Sequence, residues 1–191
     1  NRVFMVEIMG HKAGWLTLNA GIAGGADIIL IPEIPYNIDS VIAKIRQRAA
    51  SGNGFTILAV AEGAISQKEA AMSKKEYKQH MAEVLEKYPS VSYAIADKIL
   101  KKTGKEVRVT VPGHMQRGGA PCAYDRVLSS RLGTTAALMI SRDEYGSMVA
   151  IQNHVITSVP LKEIAGKLKT IDPKSDIITE ARLLGISFGD D

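Results

Sequence analysis

Apolar, β-branched runs alternate along the chain with stretches of helical spacing. The runs at 3–9, 28–32, 56–61, 107–111, 149–151 and 155–159 read as strands. The first three are near-continuously apolar, the pattern of strands covered on both faces. Between them, 12–23 is small and apolar and closes at Gly24-Gly25. The stretch 38–50 carries Val41, Ile42, Ile45 and Ala49 at helical spacing, with Asn37 or Asp39 as its cap. This alternation predicts a three-layer α/β fold, a mostly parallel sheet with helices on both faces.

The segment 67–103 breaks the rhythm and reads as a helical pair inserted between two strands. Ser73 followed by Glu76 is a capping-box pattern, and the helix it starts should end before Pro89. Ser90 or Ser92 restarts a second helix through Ile95 and Ile99, which stops at Gly104. Helical spacing returns over 124–140, and 177–191 reads as a short helix followed by a polar end. No internal repeat or low-complexity segment is visible.

Composition narrows the class. With 46% hydrophobic and 23% charged residues, the chain has the make-up of a globular protein. No run of eighteen apolar residues and no leader pattern is visible. A net charge of +4 and pI near 9.1 suggest anionic partners weakly. Aromatics at 5% are not interleaved with the basic residues, which argues against a nucleic-acid binder. One cysteine, Cys122, leaves no internal disulfide and fits a reducing cytoplasm. The opening NRVFMVEIMG reads as a buried strand already in progress, so the chain is expected to be a piece of a longer protein.

Candidate chemistry gathers at strand ends. TVPGHMQRGG sets His114 and Arg117 among glycines directly after a strand, where α/β sheets bind ligands. The pair suits an anion or a sugar phosphate. VEIMGHKAGW runs from a strand through Met9 and Gly10 into a helix whose first amides could hold an anion. It lacks G-x-G-x-x-G and G-K-[ST], and a plain tight turn explains it equally well. Glu62 closes another strand, either as an acceptor for sugar hydroxyls or as a solvated loop acid. Arg108 lies inside a strand, the usual place of an edge-strand surface residue. His11, His80, His114 and His154 show no metal-ligand spacing, so no metal site is expected.

Together these stretches resemble the carboxyl-terminal half of the 6-phosphofructokinase family, over Arg2 to about Ile151. VEIMGHKAGW followed by AGIAGGADIILIPE is similar to the substrate-loop segment, AVAEG to the segment with the sugar-binding glutamate, and RVTVPGHMQRGGAPCAYDRVLSSRLG to the family signature. The resemblance implies that Met9 and Gly10 touch fructose 6-phosphate, that Glu62 accepts from a sugar hydroxyl, and that His114 and Arg117 bind the 6-phosphate and sugar. Arg2 and Arg108 match arginines that reach into a neighbouring subunit's site, so a homodimer or tetramer is implied. The implied division is a sugar-phosphate domain over 1–119 with its insertion at 67–103, a segment over 120–160 that packs on a nucleotide domain, and a helical return and tail over 161–191. A helix without that nucleotide domain should expose Val127, Leu128, Leu132 and Met139.

Three departures from the family pattern stand out. His11 takes the place of the usual phosphoryl-stabilising arginine, with Lys12 beside it. The basic residues of the bacterial effector site are missing near 51–54, so regulation of that type is not expected. The long insertion is similar to pyrophosphate-dependent and other long-form members. The nucleotide loop, magnesium contacts and catalytic aspartate of the family precede the residues matched here, so no catalytic residue is assigned in this chain. The implied activity of the intact protein is cytoplasmic phosphorylation of fructose 6-phosphate to fructose 1,6-bisphosphate in glycolysis, with Mg²⁺ and ATP. The alternatives are pyrophosphate as donor, or a non-catalytic sugar-phosphate-binding subunit. Neither a nucleic acid nor a membrane is an expected partner.

Overall fold

The computed structural model describes Arg2 to Asp190. The chain forms two compact units, one from residues 1–116 and 170–191 and one from 117–169.

The larger unit is built on four parallel strands, β1 (Arg2–Ile8), β2 (Ile28–Leu30), β3 (Phe55–Ala61) and β4 (Val107–Thr110), in the order β2-β3-β1-β4. The central strands β1 and β3 pair along their whole length, Arg2 opposite Phe55 through Ile8 opposite Ala61. One face of the sheet packs Val3, Met5, Ile28, Leu30 and Leu58 against α2 (Ile38–Ala50) and α5 (Val91–Thr103), through Val41, Ile45, Ile95 and Ile99. The other face packs Ile29, Ile31 and Ala59 against α1 (Trp15–Ala23) and α8 (Asp176–Leu183), through Leu18, Ile178 and Ala181. This is the three-layer α/β arrangement the alternation predicts. Each fully buried Leu or Ile in the two clusters contributes about 1.5–3 kcal/mol.

Local signals set the helix starts. Asn37 caps α2 by accepting from the Asp39 amide at 2.9 Å. Ser73 and Glu76 form the reciprocal capping box of α4 (Lys74–Lys87), which ends two residues before Pro89. A second box, Ser66 with Glu69, starts the short helix α3 (Gln67–Ala70), so the insertion holds one helical turn more than the expected pair. Ser90 is the N-cap of α5, but its cap comes from far away in the chain. The buried carboxylate of Glu7 accepts from the Ser90 hydroxyl at 2.6 Å and from the Ser92 amide at 3.2 Å.

The carboxyl-terminal end corrects the sequence reading. It is not a polar tail: Ile186, Ser187 and Phe188 are buried, and Ser187 bridges Ile28 in parallel at the free edge of β2. The Ile29 amide donates to the Ser187 carbonyl, and the Ser187 amide to that of Asp27. An open sheet edge next to an apolar pocket recruits an extended segment, which a scan of local polarity does not register.

The smaller unit contains α6 (Ala123–Ser141), the antiparallel hairpin β5 (Ser147–Gln152) with β6 (Val155–Pro160), and α7 (Leu161–Ile164). Asn153 and His154, both at positive φ (49° and 65°), make its two-residue turn. Val127 of α6 is exposed, as expected, and Leu128 and Leu132 are half-buried. Met139 is buried instead, because the chain turns back over it: the amides of Arg142 and Glu144 both donate to its carbonyl.

Candidate functional site

The candidate site forms where β1 and β3 end side by side. At the end of β1 the chain turns sharply through Met9, Gly10 and His11. A Cβ on Gly10 would lie 2.4 Å from the Ala13 carbonyl oxygen, so only glycine fits, and His11 itself has φ 53°. The turn is held by Glu62 at the end of β3. Glu62 Oε1 accepts from the amides of Gly10 (3.1 Å) and His11 (2.6 Å). Its own amide donates to the Ile8 carbonyl at 2.9 Å. The next residue, Gly63, lies under the same turn, and a Cβ there would be 2.0 Å from the His11 carbonyl oxygen. Glu62 is exposed, and its Oε2 carries no hydrogen bond from the described residues. One carboxylate thus organises the loop with one oxygen and presents the other outward.

The third strand end joins through a residue the sequence reading passed over. After β4 the chain makes a 3₁₀ turn over Gly113–Arg117. Gln116 in this turn accepts from the Met9 amide at 3.1 Å through Oε1 and donates to the Gly113 carbonyl at 3.2 Å. It therefore ties the His114 turn to the Met9–His11 loop. His114 is exposed on that turn, and Arg117, also exposed, is the first residue of the smaller unit. The structure thus brings Met9, Gly10, His11, Glu62 and the His114 turn together at one end of the sheet.

Arg2 and Arg108 are elsewhere. Both lie toward the opposite ends of β1 and β4, and both pair with Glu106, at 3.5 and 3.1 Å. The seven residues of β1 put about 20 Å between Arg2 and the loop. Arg108 sits on an edge strand, as its type suggests.

The start of α1, read as a possible anion site, already holds an anion from the protein. The Glu33 carboxylate accepts from the Gly14 amide at 3.0 and 3.1 Å and from the Ile171 amide at 3.1 Å. Glu33 thereby takes the N-cap amide of the helix, and it also anchors the segment that leads to α8. Its role had no local signal, because its partners lie 19 and 138 residues away.

A cavity of about 620 Å³ opens beside the loop. His11, Lys12 and Glu62 line one part; Glu69, Lys74 and Tyr77 of the inserted helices line another. Glu69 is half-buried: desolvation raises its pKa, but its hydrogen bonds to Ser66 and His80 outweigh this and hold the carboxyl below its ordinary value. Burial, with Glu69 nearby, pushes the Tyr77 hydroxyl up. Among the described residues no group of three or more His, Cys, Asp or Glu side chains is placed to hold a metal ion.

The two strand ends, the carboxylate between them and the TVPGHMQRGG turn all lie within the stretch matched by a known family. The family described as Phosphofructokinase matches residues 1–140. The chain belongs to the phosphofructokinase family. It is 49% identical to an ATP-dependent 6-phosphofructokinase of Spirochaeta thermophila, over 100% of this chain and 51% of the relative. It is 44% identical to the ATP-dependent 6-phosphofructokinase of Chloroflexus aggregans, again over 100% of this chain and 51% of the relative. The chain thus spans about half the length of these curated phosphofructokinases. Among solved structures, Pichia pastoris phosphofructokinase in the T-state superposes with a TM-score of 0.65 at 34% identity, over 85% of this chain and 17% of that one. A pyrophosphate-dependent phosphofructokinase from Nitrosospira multiformis superposes with a TM-score of 0.73 at 18% identity, over 98% and 48%. At that identity the second likeness shows the shared fold alone.

Proposed function

We propose that this chain is the fructose 6-phosphate-binding half of an ATP-dependent 6-phosphofructokinase acting in cytoplasmic glycolysis. The observation that carries the reading is the Glu62 carboxylate, which holds the Gly10–His11 loop with one oxygen and leaves the other for a sugar hydroxyl. The ATP-dependent enzymes that match the whole chain support the choice of donor.

In this reading Met9 and Gly10 shape the sugar's seat, Glu62 orients a hydroxyl, and His114 and Arg117 hold the 6-phosphate. A doubly charged phosphate favours several charge-assisted donors, and the planar fork of arginine supplies two at once. Arg2 and Arg108 lie too far along their strands to serve the loop of their own chain. They serve the site of a second copy, so the working form is a homo-oligomer. His11 and Lys12 stand where positive charge stabilises a transferring phosphoryl group. In this reading Mg²⁺, ATP and the catalytic base belong mainly to parts of the intact protein beyond the described residues. No helix among the described residues is long and apolar enough to cross a membrane.

The test is steady-state phosphorylation of fructose 6-phosphate by the intact protein, with ATP and with pyrophosphate as alternative donors. Turnover with ATP exceeding that with pyrophosphate supports the reading. A preference for pyrophosphate replaces the donor, and binding without turnover on either replaces the enzyme by a sugar-phosphate-binding subunit.

A further inference from the structure

A second cavity, of about 360 Å³, lies where the starts of α2 and α3 meet the second half of α5. It shares no lining residue with the candidate sugar-phosphate site. Its charge is one-sided. Lys98, Lys101 and Lys102 of α5 line it at i, i+3 and i+4, one face of a helix, and Lys68 of α3 joins them. Asp39 is the one carboxylate in the lining.

Nearby carboxylates pair with two of these four lysines and leave the other two. Lys101 pairs with Asp97 at 2.7 Å, and Lys102 pairs with Asp39. Lys68 and Lys98 have no ion-pair partner among the described residues. They act at longer range, Lys68 on Asp39 and Lys98 on Glu69, and help to hold those carboxyls below their ordinary values. Clustering like charges on one helix face is unfavourable unless an anion joins them.

The rest of the lining is mixed, with the polar side chains of Asn37, Ser66 and Gln67 beside an apolar part. Ile38 and the aliphatic lysine stems supply that apolar part, whereas Tyr36, only 2% exposed, offers almost no open surface. The volume lies in the range of small-molecule pockets, in which an apolar wall and a few charged groups set orientation.

We propose that this cavity binds a phosphorylated small molecule with a partly apolar body. Lys68 and Lys98 hold the phosphate as point charges, and the body lies against Ile38 and the lysine stems. The site is separate from the sugar-phosphate site, with which it shares no lining residue.

The test is calorimetric titration of the intact protein with 1-naphthyl phosphate, using 1-naphthol as the uncharged comparator. The wild type, Lys68→Ala/Lys98→Ala and Lys68→Arg/Lys98→Arg are compared, with thermal melts to show that each is folded. The proposal expects naphthyl phosphate to bind the wild type, with affinity falling as salt rises, and naphthol to bind much more weakly. The alanine pair should lose about tenfold or more in affinity, and the arginine pair should regain most of it. Equal affinity in the wild type and the alanine pair overturns the proposal, because the phosphate is then held elsewhere. So does the lack of any binding at about 10 mM probe, or binding of naphthol as tight as that of its phosphate.

Discussion

The Glu62 carboxylate accepts the His11 amide at 2.6 Å, joining the ends of two adjacent parallel strands across 51 residues of chain. The same oxygen takes the Gly10 amide, so the shape of the loop and the position of the acid are set together. Removing the acid therefore has two effects. Glu62→Ala is expected to leave two amides without their acceptor and to lower affinity for fructose 6-phosphate by about 1.5–3 kcal/mol. Calorimetric titration of the intact protein checks this, and affinity equal to wild type would remove Glu62 from the sugar's seat.

Gly63 offers a test of the loop that leaves every polar group in place. A methyl group there would sit 2.0 Å from the His11 carbonyl oxygen, a backbone atom that cannot swing away. Gly63→Ala should cost about 1–3 kcal/mol of stability, as for other overpacked sites, and should displace the loop. Thermal unfolding gives the first number and KM for fructose 6-phosphate reports the second. A variant with native stability and KM would show that the loop is softer than its contacts indicate.

Glu33 tests the helix terminus. It accepts from the amides of Gly14 and Ile171 and so ties α1 to the segment before α8. Glu33→Ala should destabilise the larger unit by about 1–2 kcal/mol, the scale of a lost cap with an unmatched amide, without altering the sugar-phosphate residues. Urea unfolding measures it. A larger loss of substrate affinity than of stability would instead place Glu33 in the site.

Glu69 gives an acid dependence. Its folded carboxyl lies below the ordinary 4.5, because hydrogen bonds from Ser66 and His80 outweigh the desolvation that opposes them. A carboxyl lowered in the folded state binds protons more readily when unfolded. Its stabilising contribution is therefore complete above 4.5 and is lost as pH falls through the lower folded value. Urea unfolding of the wild type between about pH 6 and pH 3 should show a decline that is shallower in Glu69→Gln. Identical pH profiles would count against the Ser66–Glu69 box as the source.

Arg117 tests the phosphate end of the site. Arg117→Ala should weaken binding of fructose 6-phosphate by about 1.5–3 kcal/mol, the scale of a charge-assisted bond, and Arg117→Lys should recover only part of it. Titration at two protein concentrations also examines the role given to Arg2 and Arg108: affinity that rises with concentration is expected if a second copy completes the site.

Much of the fold was legible because its signals are local. The apolar runs of β1 to β4, the Val41–Ile45 stripe, the Ser73–Glu76 box and the stop before Pro89 each depend on residues within a turn or two of one another. So does the signature around His114 and Arg117, which the chain carries as one continuous stretch. These features follow from periodicity, capping and glycine placement, and the sequence by itself determined them.

Tertiary structure decided what depends on residues far apart in the chain. Glu7 caps α5 from 83 and 85 residues away, and Gln116 reaches Met9 across 107. Phe188 reads as part of a polar tail until the open edge of β2 draws it into the core. Glu33 and Glu62 look alike in sequence, each an acid closing an apolar run. One ends at a helix terminus as its internal anion, and the other holds a loop and keeps an oxygen free. An acid's role is set by the amides that converge on it, and only folding brings those amides together.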